Sequence, residues 1–135
     1  MPSDNLVLID TSVWIDYLSN KGSPFEETVD RLLEGGQVAC SALILAELVQ
    51  GARSEREISQ LKEFFRPVHW IAGADRHWEQ AGELSYRLKR SGKTVGLTDC
   101  YLAALANEAG ARILTADKDF QRVADAKGCE LFVSQ

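Results

Sequence analysis

Two acidic residues follow short apolar segments that are typical of buried strands. Asp10 comes directly after Leu6–Ile9, and Asp117 comes just after Arg112–Thr115. Ligands of parallel sheets bind beyond the carboxyl ends of the strands, so these positions predict a shared site. The alternative is that Asp10 serves only as a turn residue, and that Asp117, or Asp119 two positions later, only caps the last helix.

Two further acids belong to predicted helices with apolar faces. Glu47 is the only charged residue from position 37 to position 52. A lone buried carboxylate is costly unless it is paired or binds a metal. Asp99 lies on the apolar face in the first turn of its helix. The alternatives are a Glu47 that reaches solvent or pairs with Arg53, and an Asp99 that only stabilises the helix dipole.

These four acids together predict a metal site. Several carboxylates in one pocket raise one another's pKa, and a divalent cation removes that repulsion. Oxygen ligands favour Mg²⁺ or Mn²⁺. The two histidines are not at metal-ligand spacing, and the three cysteines form no Cys-x-x-Cys pair. A zinc site or a disulfide framework is therefore not expected, and the cysteines are predicted to be buried free thiols.

Composition places further bounds on the protein. Its 135 residues suggest a single domain spanning 1–135. The 45% hydrophobic and 26% charged residues are typical of a globular protein rather than a disordered one. The net charge of −5 argues against a broad basic surface for nucleic acid, though not against a local basic rim. No stretch is long and apolar enough for a membrane span or a secretory signal, so we expect a cytosolic protein.

Short apolar segments alternate with helical patterns along the chain. Strands are predicted at Leu6–Ile9, Val38–Cys40, Val68–Ile71, Arg112–Thr115 and Glu130–Val133. Helices are predicted around Val13–Leu18, capped by Thr11 or Ser12, and at Phe25–Leu33, Ala42–Gln50, Ser54–Phe65, Asp75–Arg90, Thr98–Ala109 and Asp119–Ala126. This alternation predicts an α/β protein, an α/β/α sandwich with a central, mainly parallel sheet of about five strands.

Four sequence blocks, in this order and spacing, carry a family resemblance: LVLIDTSVWIDYL, SALILAELVQGAR, GLTDCYLAALA and ILTADKDF. From about Leu6 to Val133 the chain resembles a PIN domain, and more narrowly a VapC-type toxin of a VapBC toxin–antitoxin pair. The resemblance implies a metal-dependent endoribonuclease that cuts single-stranded or looped RNA, with Mg²⁺ as cofactor and Mn²⁺ as the other candidate. It places the catalytic and metal-binding acids at Asp10, Glu47, Asp99 and Asp117.

Supporting roles follow from the same resemblance. The hydroxyl after the first acid is Thr11 or Ser12, Thr115 helps to hold the last acidic loop, and Asp119 acts through water. RNA must approach an acidic pocket, so cations at its rim are expected to contact phosphates. The candidates that adjoin the acidic motifs are Arg53, Lys93 and Lys118. The tryptophans, Trp14, Trp70 and Trp78, are expected to pack in the core, with base stacking as the alternative.

The resemblance also implies two protein partners. A cognate VapB-type antitoxin would lay a flexible segment along a groove over the helices, with a basic side chain among the carboxylates. A second copy of the chain would form a homodimer through surface helices.

Other functions fit the sequence less well. The alternative function is a non-catalytic PIN-like module that binds RNA or a partner, and it predicts missing acids, whereas none is missing. A phospho-aspartate domain would offer an acid pair after the first strand, where this chain has Asp10-Thr11-Ser12. A flap-type DNA nuclease would need a longer chain.

Overall fold

A computed structural model describes residues 5–19 and 22–133 and places them around one parallel sheet. The strands are β1 (Val7–Ile9), β2 (Val38–Cys40), β3 (His69–Trp70) and β4 (Arg112–Leu114). The helices are α1 (Thr11–Ser19), α2 (Glu26–Glu34), α3 (Ala42–Gln50), α4 (Glu55–Phe64), α5 (Asp75–Arg90), α6 (Leu97–Ala109) and α7 (Asp119–Asp125). The strand order is β3-β2-β1-β4, and every pair is parallel. The predicted α/β class and parallel sheet are confirmed.

The two central strands are covered on both faces of the sheet. All three residues of β1 and all three residues of β2 are buried. Successive residues of a strand point to opposite faces, so helices must pack on both sides. This is the three-layer arrangement that the alternating pattern predicted. The outer strand β3, by contrast, has two exposed residues.

The predicted fifth strand, Glu130–Val133, is reduced to a single parallel bridge between Leu131 and Ile113. The Ile113 N–H donates to Glu130 O at 2.9 Å, and the Phe132 N–H donates to Ile113 O at 2.8 Å. The described part of the sheet therefore has four strands and one further bridge, close to the five strands expected. The segment extends no further as a strand because its residues at this outer edge are only half-buried or exposed, and little packing supports a longer ladder.

Two helices start in different ways. Helix α4, predicted over Ser54–Phe65, follows Ser54, whose Oγ accepts a hydrogen bond from the Glu57 N–H at 3.1 Å and so caps the helix. Helix α6, predicted to start at Thr98, begins one residue earlier, at Leu97, and Gly96 occupies the cap position without a side chain to accept a bond.

Helix α6 is fastened to α5 by a polar cluster. Glu108 on α6 accepts from Arg76 Nε at 2.9 Å and from Arg76 Nη2 at 2.7 Å. Its Oε1 lies 2.9 Å from Nε2 of the buried His77. His77 Nδ1 in turn accepts from the Ala74 N–H at 2.9 Å. These contacts fix the helix that carries Asp99 in its first turn.

The tryptophans differ in burial. Trp14 is fully buried and packs edge-on against Phe65, with ring centroids 4.9 Å apart. The core role predicted for Trp70 and Trp78 is wrong, since their side chains are 40% and 43% exposed. Trp78 instead stacks on Tyr101, with centroids 3.9 Å apart.

The cysteine prediction is confirmed, because Cys40, Cys100 and Cys129 are free and buried. Burial raises the pKa of the Cys40 thiol to about 12 and that of Cys100 to about 11. In the described part of the chain, no helix combines the length and the apolar character that crossing a bilayer requires.

We expect Trp14→Ala to lower the free energy of unfolding by about 3–5 kcal/mol, because it empties a large buried volume. Trp14→Phe should cost less than about 2 kcal/mol, because the ring contacts largely remain. It also removes an indole N–H that has no hydrogen-bond partner among the described residues. Urea unfolding followed by circular dichroism measures both. Equal losses in the two variants would contradict this account of the core.

Candidate active site

The carboxyl ends of β1 and β4 lie side by side and bring two of the predicted acids to one edge of the sheet. Ile9 pairs with Leu114 in the parallel register, and the Asp10 N–H donates to Leu114 O at 2.9 Å. Asp10 follows β1 immediately, and Asp117 lies in the loop between β4 and α7. The structure thus places both acids where the predicted strand ends required them.

Asp10 is buried, and one of its carboxylate oxygens is held by two hydroxyl groups. Asp10 Oδ2 accepts from Ser12 Oγ at 2.7 Å and from Thr115 Oγ1 at 3.0 Å. Ser12 Oγ accepts from the Ala116 N–H at 3.1 Å, and Thr115 Oγ1 accepts from the Asp117 N–H at 2.9 Å. The two hydroxyls therefore connect the end of β1 to the loop after β4. Both lone pairs of Oδ2 are used, so a further ligand would have to bind Asp10 through Oδ1.

Glu47 is half-buried on α3 and turns toward the start of α1. Its Oε1 accepts from Thr11 Oγ1 at 2.6 Å. The alternative in which Glu47 pairs with Arg53 is wrong, because no ion pair joins them among the described residues. The two hydroxyls proposed as helix caps, Thr11 and Ser12, therefore serve the carboxylates instead.

Three other acids form the tightest group at this edge. Asp99, Asp117 and Asp119 each offer a carboxylate oxygen, and these oxygens all lie within 4.8 Å of one another. Asp117 Oδ1 also accepts from the Asp119 N–H at 2.9 Å, which fixes the turn between the two residues. Asp99 enters the group from the first turn of α6. A divalent cation with oxygen ligands fits such a donor set.

Asp99 has a strongly perturbed acidity. Its pKa is raised from 3.8 to about 7, mainly by burial and then by the negative charges of its neighbours. In decreasing order of effect these neighbours are Asp10, Asp117, Asp119 and Glu47. Because each of them acts on the same carboxyl group, all four predicted acids and Asp119 share one electrostatic environment.

The tight trio includes one acid, Asp119, that was not among the four catalytic acids indicated by the motifs. Asp119, expected to act through water, offers a carboxylate oxygen within 4.8 Å of those of both Asp99 and Asp117. Asp10 and Glu47 lie beside this trio, each with one oxygen tied to a hydroxyl group. The sequence signal for Asp119 is its position two residues after Asp117, in a turn that brings both carboxylates to the same side.

One acid of the group is contacted by a cation that the motif analysis did not include. Arg122 Nη1 lies 3.8 Å from Asp119 Oδ1, in an i,i+3 pair on α7. That spacing is the signal in the sequence that identifies it. Of the cations proposed to bind RNA, Lys93 and Lys118 lie in exposed loops next to the acidic edge. Arg53 lines a groove that also contains Glu47.

This groove, which we call the α1–α4 groove, lies between α1, α3 and α4 and has a volume of about 650 Å³. Three exposed apolar side chains line it, with exposed fractions of 55% for Ile15, 43% for Leu18 and 36% for Phe64. Glu47 is part of its wall, so the groove opens beside the acidic site. An apolar channel next to a carboxylate cluster is suited to an amphipathic segment that carries a cation.

The chain is similar to known proteins in sequence and in fold. The family model for the PIN domain matches residues 7–126. The VapC ribonuclease Mb1587 of Mycobacterium bovis is 34% identical over 123 residues, covering 88% of this chain and 92% of that protein.

Solved structures show the same fold. The DNA-bound VapBC complex of Salmonella typhimurium matches with a TM-score of 0.77 at 25% identity, covering 94% of this chain and 96% of that chain. Mycobacterium tuberculosis VapC20, a toxin that cleaves the sarcin–ricin loop, matches with a TM-score of 0.66 at 21% identity, covering 95% and 99%.

The raised pKa of Asp99 predicts how stability depends on pH when no metal is bound. Between pH 4 and about 7 the folded protein retains a proton that the unfolded chain has released, so stability falls as pH rises through this window. Asp99→Asn removes this dependence. In EDTA at pH 8, we expect Asp99→Asn to exceed the wild type by about 1–3 kcal/mol, less than the full shift implies because solvent reaches the half-buried site.

Urea unfolding at pH 5 and pH 8 measures this difference. The matched control is Asp75→Asn, which neutralises an exposed acid in the first turn of α5. It should keep the pH dependence of the wild type. A pH dependence of Asp99→Asn equal to that of the wild type would contradict the assignment.

Proposed function

The chain belongs to the PIN domain family and to the VapC ribonucleases within it, and from this premise we propose that it is a metal-dependent endoribonuclease, the toxin of a toxin–antitoxin pair. The observation that carries the proposal is the meeting of five carboxylates at one sheet edge, where they raise the pKa of Asp99. Such a concentration of negative charge is costly in a structural role and useful in holding a cation.

The donor set favours Mg²⁺, with Mn²⁺ as the other candidate. The oxygens that meet are carboxylate oxygens, and no histidine or cysteine joins them among the described residues. We propose Asp10, Glu47, Asp99 and Asp117 as the catalytic acids that hold the ion, and the position of Asp119 supports the same role. A bound divalent ion neutralises charge on the scissile phosphate and lowers the pKa of its water.

The chain's own side chains preorganise these carboxylates. Ser12 and Thr115 occupy Asp10 Oδ2, so Asp10 would hold the ion through Oδ1. Thr11 holds Glu47 by a 2.6 Å bond, which fixes a long side chain that would otherwise sample several rotamers. Groups that fix ligating carboxylates in this way sharpen both metal affinity and geometry.

The alternative function, a non-catalytic PIN-like module that binds RNA or a partner, is less favoured. A module that only binds has no use for a repelling acidic cluster. The shared electrostatic environment of the five acids and the hydroxyl contacts to Asp10 and Glu47 support the nuclease instead.

Cleavage of single-stranded RNA tests the proposal. With Mg²⁺, the wild type should cut a labelled oligonucleotide pool internally, and EDTA should stop the reaction. Asp99→Asn should reduce the rate by about 100-fold or more, since the metal contributes several kcal/mol to the transition state. Asp75→Asn, the matched first-turn acid, should retain the wild-type rate. Equal rates for Asp99→Asn and the wild type would refute the metal assignment.

The α1–α4 groove is the proposed site of the antitoxin. Its exposed apolar lining suits the apolar face of a partner segment. A cationic side chain of that segment would reach Glu47 and the neighbouring acids, where it would offset their charge as the metal does. Occupation of the groove would therefore also close access to the site.

We expect Ile15→Glu to weaken inhibition by the VapB-type antitoxin at least about tenfold, because it places a charge in an apolar groove. Cleavage by the free variant should not change. Val133→Glu is the matched control, since Val133 is apolar, 75% exposed and outside the groove. Titration of RNA cleavage with the purified antitoxin measures both, and equal inhibition of the two variants would argue against this groove.

Three further expectations stay predictions. RNA phosphates are proposed to contact Arg53, Lys93 and Lys118. The homodimer implied by the family resemblance is proposed to use exposed side chains of surface helices. The cytosol is the proposed compartment.

A further inference from the structure

Arg122 occupies a distinctive place at the rim of the acidic site. Its Nη1 lies 3.8 Å from Asp119 Oδ1 and 3.5 Å from the carbonyl oxygen of Thr94, to which it donates. Asp119 belongs to the tight acidic trio. The arginine therefore reaches from α7 to the loop before α6, across the edge of the site.

No other ion pair within residues 5–19 and 22–133 involves an acid of the site. The remaining pairs are Arg66 with Glu63, and Arg76 and His77 with Glu108. Arg122 is thus the cation placed nearest to a cluster that would otherwise repel an approaching polyanion. Because the protein has a net charge of −5, a positive group beside the acidic cluster changes the electrostatic potential met by an approaching phosphate more than the same charge elsewhere on the surface.

The contacts of Arg122 are loose. Both distances are long for a guanidinium, and the side chain is 50% exposed. An exposed ion pair of this kind contributes little stability, so the arginine can leave Asp119 at little cost. Its other N–H donors have no hydrogen-bond partner among the described residues, and a guanidinium presents them as a planar fork that matches a phosphate group.

We propose that Arg122 binds a phosphate of the RNA beside the acidic site and so acts as a substrate-binding residue. The inference rests on the proposed function. The loose contact with Asp119 is given up at little cost when a phosphate approaches. The guanidinium is then available to a phosphate next to the one that is cut.

The competing role for Arg122 is structural, as a tether between α7 and the loop that contains Thr94. The two roles differ in their dependence on salt. A lost phosphate contact makes RNA binding less sensitive to salt, because fewer counterions are released on association. A lost tether changes the stability or the cleavage rate but leaves the salt dependence of binding unchanged.

The experiment measures RNA binding in the Asp99→Asn background, so that bound RNA stays intact. Fluorescence anisotropy with a labelled single-stranded oligonucleotide is recorded from 50 to 300 mM KCl. Each of the substitutions R122Q, R122K and R66Q is introduced into this background and compared with it. R66Q is the matched control, because it removes an arginine from another exposed i,i+3 pair, at the end of α4. Thermal melting followed by circular dichroism verifies that every variant is folded.

We expect R122Q to weaken binding about fivefold at low salt and to reduce the slope of log Kd against log salt by about 0.7, the value for one phosphate contact on a single strand. R122K should keep the slope, since its charge remains. R66Q should match the background. In the catalytically intact chain, R122Q should raise KM for RNA more than it lowers kcat.

An unchanged slope in R122Q, or equal effects of R122Q and R66Q, would overturn the proposal. Failure of the proposed function gives a different result: wild-type protein that does not cleave RNA in Mg²⁺ would refute the nuclease, whatever the slopes.

Discussion

Repulsion among carboxylates is the interaction that the rest of the structure has to accommodate. Five acids from four separate parts of the chain lie close enough to raise the pKa of Asp99 to about 7. Within the part of the chain that the structure describes, the loose contact of Arg122 with Asp119 is the only ion pair that offsets them. The packing of the sheet and helices must therefore hold these carboxylates together against their mutual repulsion. A site of this kind is stabilised by the ligand it binds, so metal affinity and fold stability are thermodynamically linked.

The hydroxyl side chains of serine and threonine fix the positions of two of these carboxylates. Ser12 and Thr115 share one oxygen of Asp10 and accept backbone N–H groups from the loop after β4. They thereby tie two strand ends that are over a hundred positions apart in sequence but adjacent in the sheet. Thr11 does the same for Glu47 on α3. Each hydroxyl gives a carboxylate a defined direction without adding charge, so the site keeps its negative potential and loses conformational freedom.

Substrate and partner make opposite demands on this surface. RNA is a polyanion and requires cations near the acids, whereas the proposed antitoxin segment requires an apolar channel. These features lie on different elements except at Arg53, a proposed RNA contact that also lines the groove. Arg122 lies on α7, and the exposed Ile15, Leu18 and Phe64 lie on α1 and α4. Glu47 belongs both to the groove wall and to the charged environment of Asp99, so a segment in the groove would also affect the acids.

Sequence alone determined the class of the fold and indicated the four acids that we propose as metal ligands. Apolar segments of three or four residues between helical patterns require a parallel sheet with two covered faces, and a charged residue such as Glu47 in an apolar helix is conspicuous in any sequence. Tertiary structure decided everything that depends on distance. The predicted fifth strand is a single bridge with Ile113. The hydroxyls of Thr11 and Ser12 bind carboxylates instead of capping a helix, and Asp119 lies in the tight trio. The physical reason is that hydrogen bonds and charge interactions act over a few ångströms between residues far apart in the chain, and sequence spacing reports only local neighbours.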